Sequence, residues 1–409
     1  MISNIKYKIL NIKLLGIGYF ILVFGLFFYS FTQVDLNLTL SQWPIWQVIQ
    51  KYFQHIGYFQ RPLSTILYIF IILLFYYFYF IFLILAHKNK ISKKQVWFII
   101  IATTAILTFS YNAFSYDLFN YIFDAKIVTF YHQNPYEHKA LDYFNDSWTN
   151  FMRSTHRVYP YGPVWIGLTV PLSFLGFNTF LPTFYLFKTL IAVSFLGSVY
   201  FLKKIIDYSE IQNPLYSISL FALNPLVLIE SLVSAHNDIV MMFFAVLSLY
   251  LLLRKRYVFS FTFLAVSIGI KFATILLLPV FIYIAIMQLK NKTIDFKKVF
   301  MTIFVLMLTA VAFTSFWSGP NKNPELQPWY FLMAIPFAAL VARKRMVSIL
   351  MICVTFGMLL SYIPYILTGE WPKDIVDLKI KLLIAAIAVG ILIYILSSKS
   401  ILPVIKRFF

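Results

Sequence analysis

The residues best suited to chemistry in this sequence are a few charges set among apolar runs. Asp117 and Asp124 lie in the polar stretch 115–162, with Tyr121 between them. In a helix these positions, at i, i+4 and i+7, share a face. Seven residues of helical rise set the two carboxylates about 10 Å apart, too far to clasp one metal ion, so they need separate roles. A carboxylate at Asp117 can accept a proton from a hydroxyl, coordinate a cation, or cap the helix it opens. Arg153 and Arg157 follow in the same stretch and can grip a phosphate through paired N–H donors or rest on lipid headgroups.

Further along, Glu230 sits inside an apolar run, where an acid requires a cavity or a partner. His236-Asn237-Asp238 places three consecutive polar residues between two apolar segments. Lys271 has apolar residues on both sides, so its charge is either compensated or snorkels to an interface. Tyr161 belongs to Tyr159-Pro160-Tyr161-Gly162-Pro163, and Trp329 to Gln327-Pro328-Trp329-Tyr330. Both are rigid, proline-marked turns, and an interfacial aromatic belt would account for their rings equally well. The chain has no Gly-rich phosphate loop, no CxxC pair and no HExxH. His132, His138, His156 and His236 match no ligand spacing. No cofactor is named by these residues; a divalent metal is compatible with them, but its ligands are unknown.

The elements that must position these groups are membrane helices. Of 409 residues, 61% are apolar and only 12% charged, against roughly 45–50% and 25% in soluble domains. That composition excludes a soluble globular protein, and a single cysteine, Cys353, excludes a disulfide scaffold. Apolar segments fall near 14–33, 63–86, 96–114, 163–182, 183–202, 214–233, 238–253, 257–270, 272–288, 297–317, 329–342, 346–366 and 379–397. The expectation is an all-α polytopic membrane protein of about 12–13 transmembrane segments, forming one integral-membrane domain over 1–409. The first segment follows Lys6, Lys8 and Lys13 without a small-residue cleavage site and reads as a retained signal-anchor.

Positive charge in short loops marks the cytoplasmic side. Basic clusters at the N-terminus, 87–94, 203–204, 254–256, 290–298, 343–345 and the C-terminus then lie inside, with both termini cytoplasmic. The run 257–288 must turn near Gly269-Ile270-Lys271. Segment 163–182, with three prolines and two glycines, reads as re-entrant or broken. An amphipathic helix over 117–131, ended by Asn134-Pro135, is expected to lie in the outer interface. The same topology places Asp117, Asp124, Arg157, Tyr161, His236–Asp238, Lys271 and Gln327–Trp329 all on the external side. It also explains the formal charge of +19. The cytoplasmic parts hold 22 of the 34 Lys+Arg and only Asp207, Glu210 and Asp295 of the acids. The excess is therefore an orientation signal, and a nucleic-acid partner is excluded.

Carboxylates near several cations in membrane-embedded segments suit a substrate with a phosphate and a hydroxyl to be deprotonated. A transporter or flippase for a lipid-linked saccharide would also want such charges, but at the midplane and on both sides. The ordered set of Asp117 after a span, an aromatic-rich helix, Asn134-Pro135-Tyr136, Tyr161-Gly162-Pro163, Asn224-Pro225-Leu226, His236-Asn237-Asp238, Lys271 and Gln327-Pro328-Trp329-Tyr330 resembles the GT-C superfamily of membrane glycosyltransferases. Within it, the chain looks most like polyprenol-phosphate-mannose-dependent mannosyltransferases. The resemblance implies inverting transfer of a sugar, mannose first, from a polyprenyl-phosphate donor to an extracytoplasmic glycan or glycolipid acceptor at the plasma membrane. It makes Asp117 the general base. Charge and side assign Lys271, Arg157, His236 and Arg153 to the donor phosphate. Asp124, Tyr121, Tyr161, Asn237, Asp238, Gln327 and Trp329 are left for sugar or acceptor. Asp124 stands where the family often has glycine, which bears on the identity of the sugar. The oligomeric state is unknown.

Overall fold

The computed structural model of the protein describes residues 12–316 and 325–398. The basic residues Lys6, Lys8, Lys406 and Arg407, used above for orientation, lie outside the described residues. Among those described, helix is the only regular structure apart from one isolated bridge, Lys139 to Val158, and there is no strand. All thirteen apolar segments recur as helices or helix pairs. Seven are long and apolar enough to cross a membrane: Ile12–Gln33, Arg61–His87, Phe180–Tyr208, Phe272–Leu289, Phe296–Phe316, Arg345–Thr368 and Ile375–Ser397. An eighth is the broken pair Pro214–Ala222 and Pro225–Val233, bent by 50°. The apolar helices Pro163–Leu175, Asp238–Leu253, Tyr257–Ile270 and Pro328–Leu340 are shorter. The expected 12–13 segments are thus present as apolar helices, whereas seven or eight reach spanning length.

The break in the bent pair has a local cause. Asn224 precedes Pro225, which disfavours helical backbone at Asn224. The Asn224 side chain accepts from the N–H groups of Leu226 and Val227, restarting the helix. That second half ends in a π-helical turn, Ile229–Val233, which carries Glu230. Such turns widen a helix and occur often at functional sites.

Two expected features take a different form. The loop helix runs Asp117–Thr129, two residues shorter than expected, and is enclosed along nearly its whole length. It does not lie on a surface as an amphipathic helix would, because Asn120, Asp124 and Lys126 are buried with it. The chain also has a helix over Pro44–Phe59, inside a stretch (34–62) that reads as polar loop from its sequence. Its exposed side carries Ile45, Val48, Tyr52 and Phe59, while Gln50 and Gln54 turn inward to the backbone of Leu38, Leu40, Val34 and Asp35. An apolar outward face of this kind suits the headgroup–acyl boundary.

Segment 163–182 divides into Pro163–Leu175, which contains Pro171, and the start of Phe180–Tyr208. Thirteen residues rise about 20 Å, short of a bilayer core of about 30 Å. The run 257–288 breaks at Lys271, which is extended (φ −145°, ψ 135°). Two glycines bring these segments together. The Gly162 N–H donates to the Ile270 carbonyl at 3.1 Å. A Cβ on Gly162 would stand 2.1 Å from the Gly269 carbonyl oxygen, and one on Gly269 would stand 2.4 Å from Val164. The close approach delivers Tyr161 beside Lys271.

Candidate active site

Asp117 opens the loop helix, and its N–H donates to the Ser115 hydroxyl at 3.1 Å. Its side chain is 22% exposed, so the carboxylate is partly open at the rim of a buried cluster. Arg157 Nη2 stands 3.5 Å from Oδ1, and His236 Nδ1 stands 3.6 Å from Oδ2. The Tyr121 hydroxyl bridges Asp117 Oδ2 at 3.5 Å and Asn237 Oδ1 at 3.3 Å. Tyr121 is itself wedged edge-on between Tyr161 and Trp165. The loop helix is pinned at its far end by the buried Lys126–Asp146 pair at 2.5 Å, with Lys126 over the Trp148 ring. Asp146 also accepts from Tyr131 at 2.8 Å.

The opposite wall comes from the broken helix and from residues 234–238 and 271 beyond it. His236 lies with no exposed side-chain surface, stacked on Trp329 at 4.0 Å and 16°. Its Nε2 is 3.4 Å from Glu230 Oε2, and Glu230 Oε1 accepts from Tyr362 at 2.8 Å. Asp238, fully buried, pairs with Lys271 Nζ at 2.6 Å. Lys271 also lies 5.6 Å from the centre of the Tyr161 ring, and Arg157 lies 5.8 Å from it. The two cations thus flank one aromatic face near Asp117, where attraction to the ring adds to their charge pairing.

The structure therefore gathers Asp117, Arg157, Tyr121, Tyr161, His236, Asn237, Asp238, Lys271 and Trp329 into one network. Arg153, Gln327 and Asp124, also expected at the site, stand apart from it in different ways. Arg153 is exposed and lies over Tyr116 at 5.3 Å, away from Asp117. Asn120, with its amide turned to satisfy both ends, donates to the Arg153 carbonyl and accepts from Arg157. Gln327 is engaged between Lys379, from which it accepts at 2.6 Å, and Glu325. His236 has a carboxylate on each nitrogen and no open side, so a phosphate could reach it only by displacing one of them. Asp124 is buried two helical turns from Asp117, and burial pushes its carboxyl up to about 8, with Arg157 opposing and Asp117 adding to the rise.

Sequence reasoning overlooked Lys188. It is buried within Phe180–Tyr208, and its ammonium donates to the carbonyls of Leu232 and Val233 and to Ser110. It thereby satisfies the C-terminal carbonyls of the broken helix just before His236. The available signal was a lysine in the middle of an apolar run, as costly as Glu230. Tyr362 was also missed, because nothing local ties it to a residue 132 positions away. Among the described residues, no group of three or more His, Cys, Asp or Glu is placed to hold a metal ion.

Compared with known proteins, residues 17–287 match the MptA/B family, described as alpha-(1->6)-mannopyranosyltransferase, N-terminal domain. No curated protein and no solved structure matches. The match covers about two thirds of the chain, and the chain belongs to this family of GT-C mannosyltransferases. Asp117, His236 and Lys271 fall inside the matched residues, whereas Trp329 and Tyr362, which complete the buried wall, lie beyond them.

Proposed function

We propose that this membrane mannosyltransferase takes mannose from a polyprenyl-phosphate donor and transfers it, with inversion, to a hydroxyl of an extracytoplasmic glycan or glycolipid. The observation that carries the reading is the partly exposed Asp117 carboxylate, paired with Arg157, with Lys271 across the Tyr161 ring, at the edge of a buried network. A base must reach the acceptor oxygen, and a departing phosphate needs fixed positive charge nearby. Asp117 removes the acceptor proton as that oxygen bonds to the anomeric carbon, and the bond from that carbon to the phosphate oxygen breaks. Arg157 and Lys271 stabilise the leaving phosphate. Arg157 presents a planar fork suited to two oxygens, and Lys271 a point charge.

Asp124, Tyr121, Tyr161, Asn237, Asp238, Gln327 and Trp329 are read as lining the sugar and acceptor path, and Arg153 as an outer contact for the lipid phosphate. A protonated Asp124 can donate a hydrogen bond to a sugar hydroxyl as well as accept one. We read the chain as one integral-membrane domain in the plasma membrane, with both termini cytoplasmic and the site external. Pro163–Leu175 is read as a half-length segment supporting the site from below.

The test is transfer of labelled mannose by the purified protein in detergent. Polyprenyl-phosphate mannose should support turnover and GDP-mannose should not; turnover from GDP-mannose alone would overturn the donor assignment. Sidedness is checked at Phe144, which is 73% exposed in the same loop. A Phe144→Cys variant should react with an impermeant maleimide from outside intact cells. Reaction only after permeabilisation would reverse the orientation.

A further inference from the structure

His236 faces a carboxylate on each ring nitrogen, Asp117 at 3.6 Å and Glu230 at 3.4 Å. Trp329 stacking fixes the plane of the ring, and the His236 N–H, donating to the Glu230 carbonyl at 3.0 Å, fixes its origin. Tyr362 occupies Glu230 Oε1 and leaves Oε2 for the imidazole. Neither ring nitrogen and not Oε2 has a closer partner. Unmet polar groups buried like this cost about 1–3 kcal/mol each, and hydrogen bonds at active sites without substrate are often long and tighten when it binds.

We propose that Glu230, His236 and Asp117 form a proton relay behind the reacting hydroxyl, resting on the reading of Asp117 as the base. At rest the imidazole is neutral, with Nε2–H directed at Glu230 Oε2 and the Nδ1 lone pair facing Asp117. The 3.6 Å gap suits two lone pairs that share no proton. During transfer the acceptor O–H bond breaks and an Asp117 O–H bond forms. That bond then breaks as His236 Nδ1–H forms, leaving an imidazolium between two carboxylates. Asp117 is ionised again before the product leaves, and the proton returns through it to solvent afterwards. Glu230 and His236 act through Asp117 and are positioning residues. Other charged or titratable groups facing this line are Arg157, Tyr121, Tyr161 and Tyr330 around Asp117, the Lys271–Asp238 pair beside it, and Lys379, Tyr362 and Tyr68 around Glu230.

Glu230→Gln keeps the size and the bond from Tyr362 but removes the charge. We expect kcat to fall about 10- to 100-fold with KM for donor and acceptor within about threefold of wild type. The acid limb of the kcat–pH profile should move to lower pH, because the opposite charge that favours imidazolium is gone. Glu230→Asp, which retains the charge, should keep the limb near its wild-type position. A purely structural glutamate would leave the limb in place. Wild-type kcat and an unmoved limb in Glu230→Gln would overturn the relay. Should that variant fail to fold, His236→Gln serves instead: an acid limb moved to lower pH, where the Asp117 carboxylate alone titrates, supports the relay, and an unchanged profile overturns it. Asp117→Asn, measured alongside, separates the two readings. Wild-type turnover there removes the base itself, whereas an inactive Asp117→Asn beside a wild-type Glu230→Gln removes the relay alone.

Discussion

Around Asp117 most ion pairs join residues far apart in the chain, while at the helix ends they join near neighbours. Lys271 and Asp238 are 33 positions apart and meet at 2.6 Å, with side chains 19% and 0% exposed. Lys381 and Asp377 also meet at 2.6 Å, but one helical turn apart and more than half exposed. Lys298–Asp295 and Lys203–Asp207 are likewise local. Equal distances conceal different physics. An exposed pair contributes roughly 0–1 kcal/mol and is replaceable. A buried charge is tolerated only while its partner stays, and removing one partner costs about 3–5 kcal/mol. Buried pairs thus surround one partly open carboxylate and, at Lys126–Asp146, pin the far end of its helix, while exposed pairs sit at helix ends.

That contrast can be broken at several points. Lys271→Gln strips the partner from buried Asp238, whose other oxygen has none. It should lower stability by about 3 kcal/mol, read from thermal unfolding in detergent, and adding Asp238→Asn should recover most of the loss. A single variant as stable as wild type would erase the distinction between the two sets of pairs. Arg157→Lys keeps the charge but loses the planar fork. About a tenfold drop in kcat/KM for the donor is expected, with little change in unfolding temperature.

Asp124→Asn sharpens the comparison through pH. The native carboxyl titrates near 8 and the unfolded one near 3.8. Between those values the native state holds a proton that the unfolded chain has released. Wild-type stability should therefore be highest below about pH 4, decline as pH rises to about 8, and level off above. The asparagine variant should lack that part of the slope. Identical pH profiles for the two proteins would show that the buried acid carries no such proton. Smallest of all, Lys298→Ala, at a side chain 87% exposed, should change stability by less than about 0.5 kcal/mol and leave transfer unaltered.

The helices were legible in the sequence because apolar runs of spanning length admit few alternatives. All thirteen segments appear, and so does the expected turn at Lys271; the break at Asn224-Pro225, inside what reads as one segment, was not anticipated although its residues encode it. The family pattern located Asp117, His236–Asp238 and Lys271, and positive loops suggested that they share a side. What escaped was tertiary. Nothing in the spacing of His236 shows that Trp329 covers it or that Glu230 lies behind it. Asn120, Asp124 and Lys126 read as the polar face of a surface helix until their partners and their enclosure are seen. Gln50 and Gln54 misled in the opposite sense, making a helix with an exposed apolar side look like polar loop.

The role of Asp117 as the base of a membrane mannosyl transfer is decided by single-turnover transfer from labelled polyprenyl-phosphate mannose, run with Asp117→Asn protein. The rate should fall by about 10²–10⁴-fold, with donor binding and unfolding temperature close to wild type. A wild-type rate in a folded, donor-bound variant would rule out Asp117 as the base.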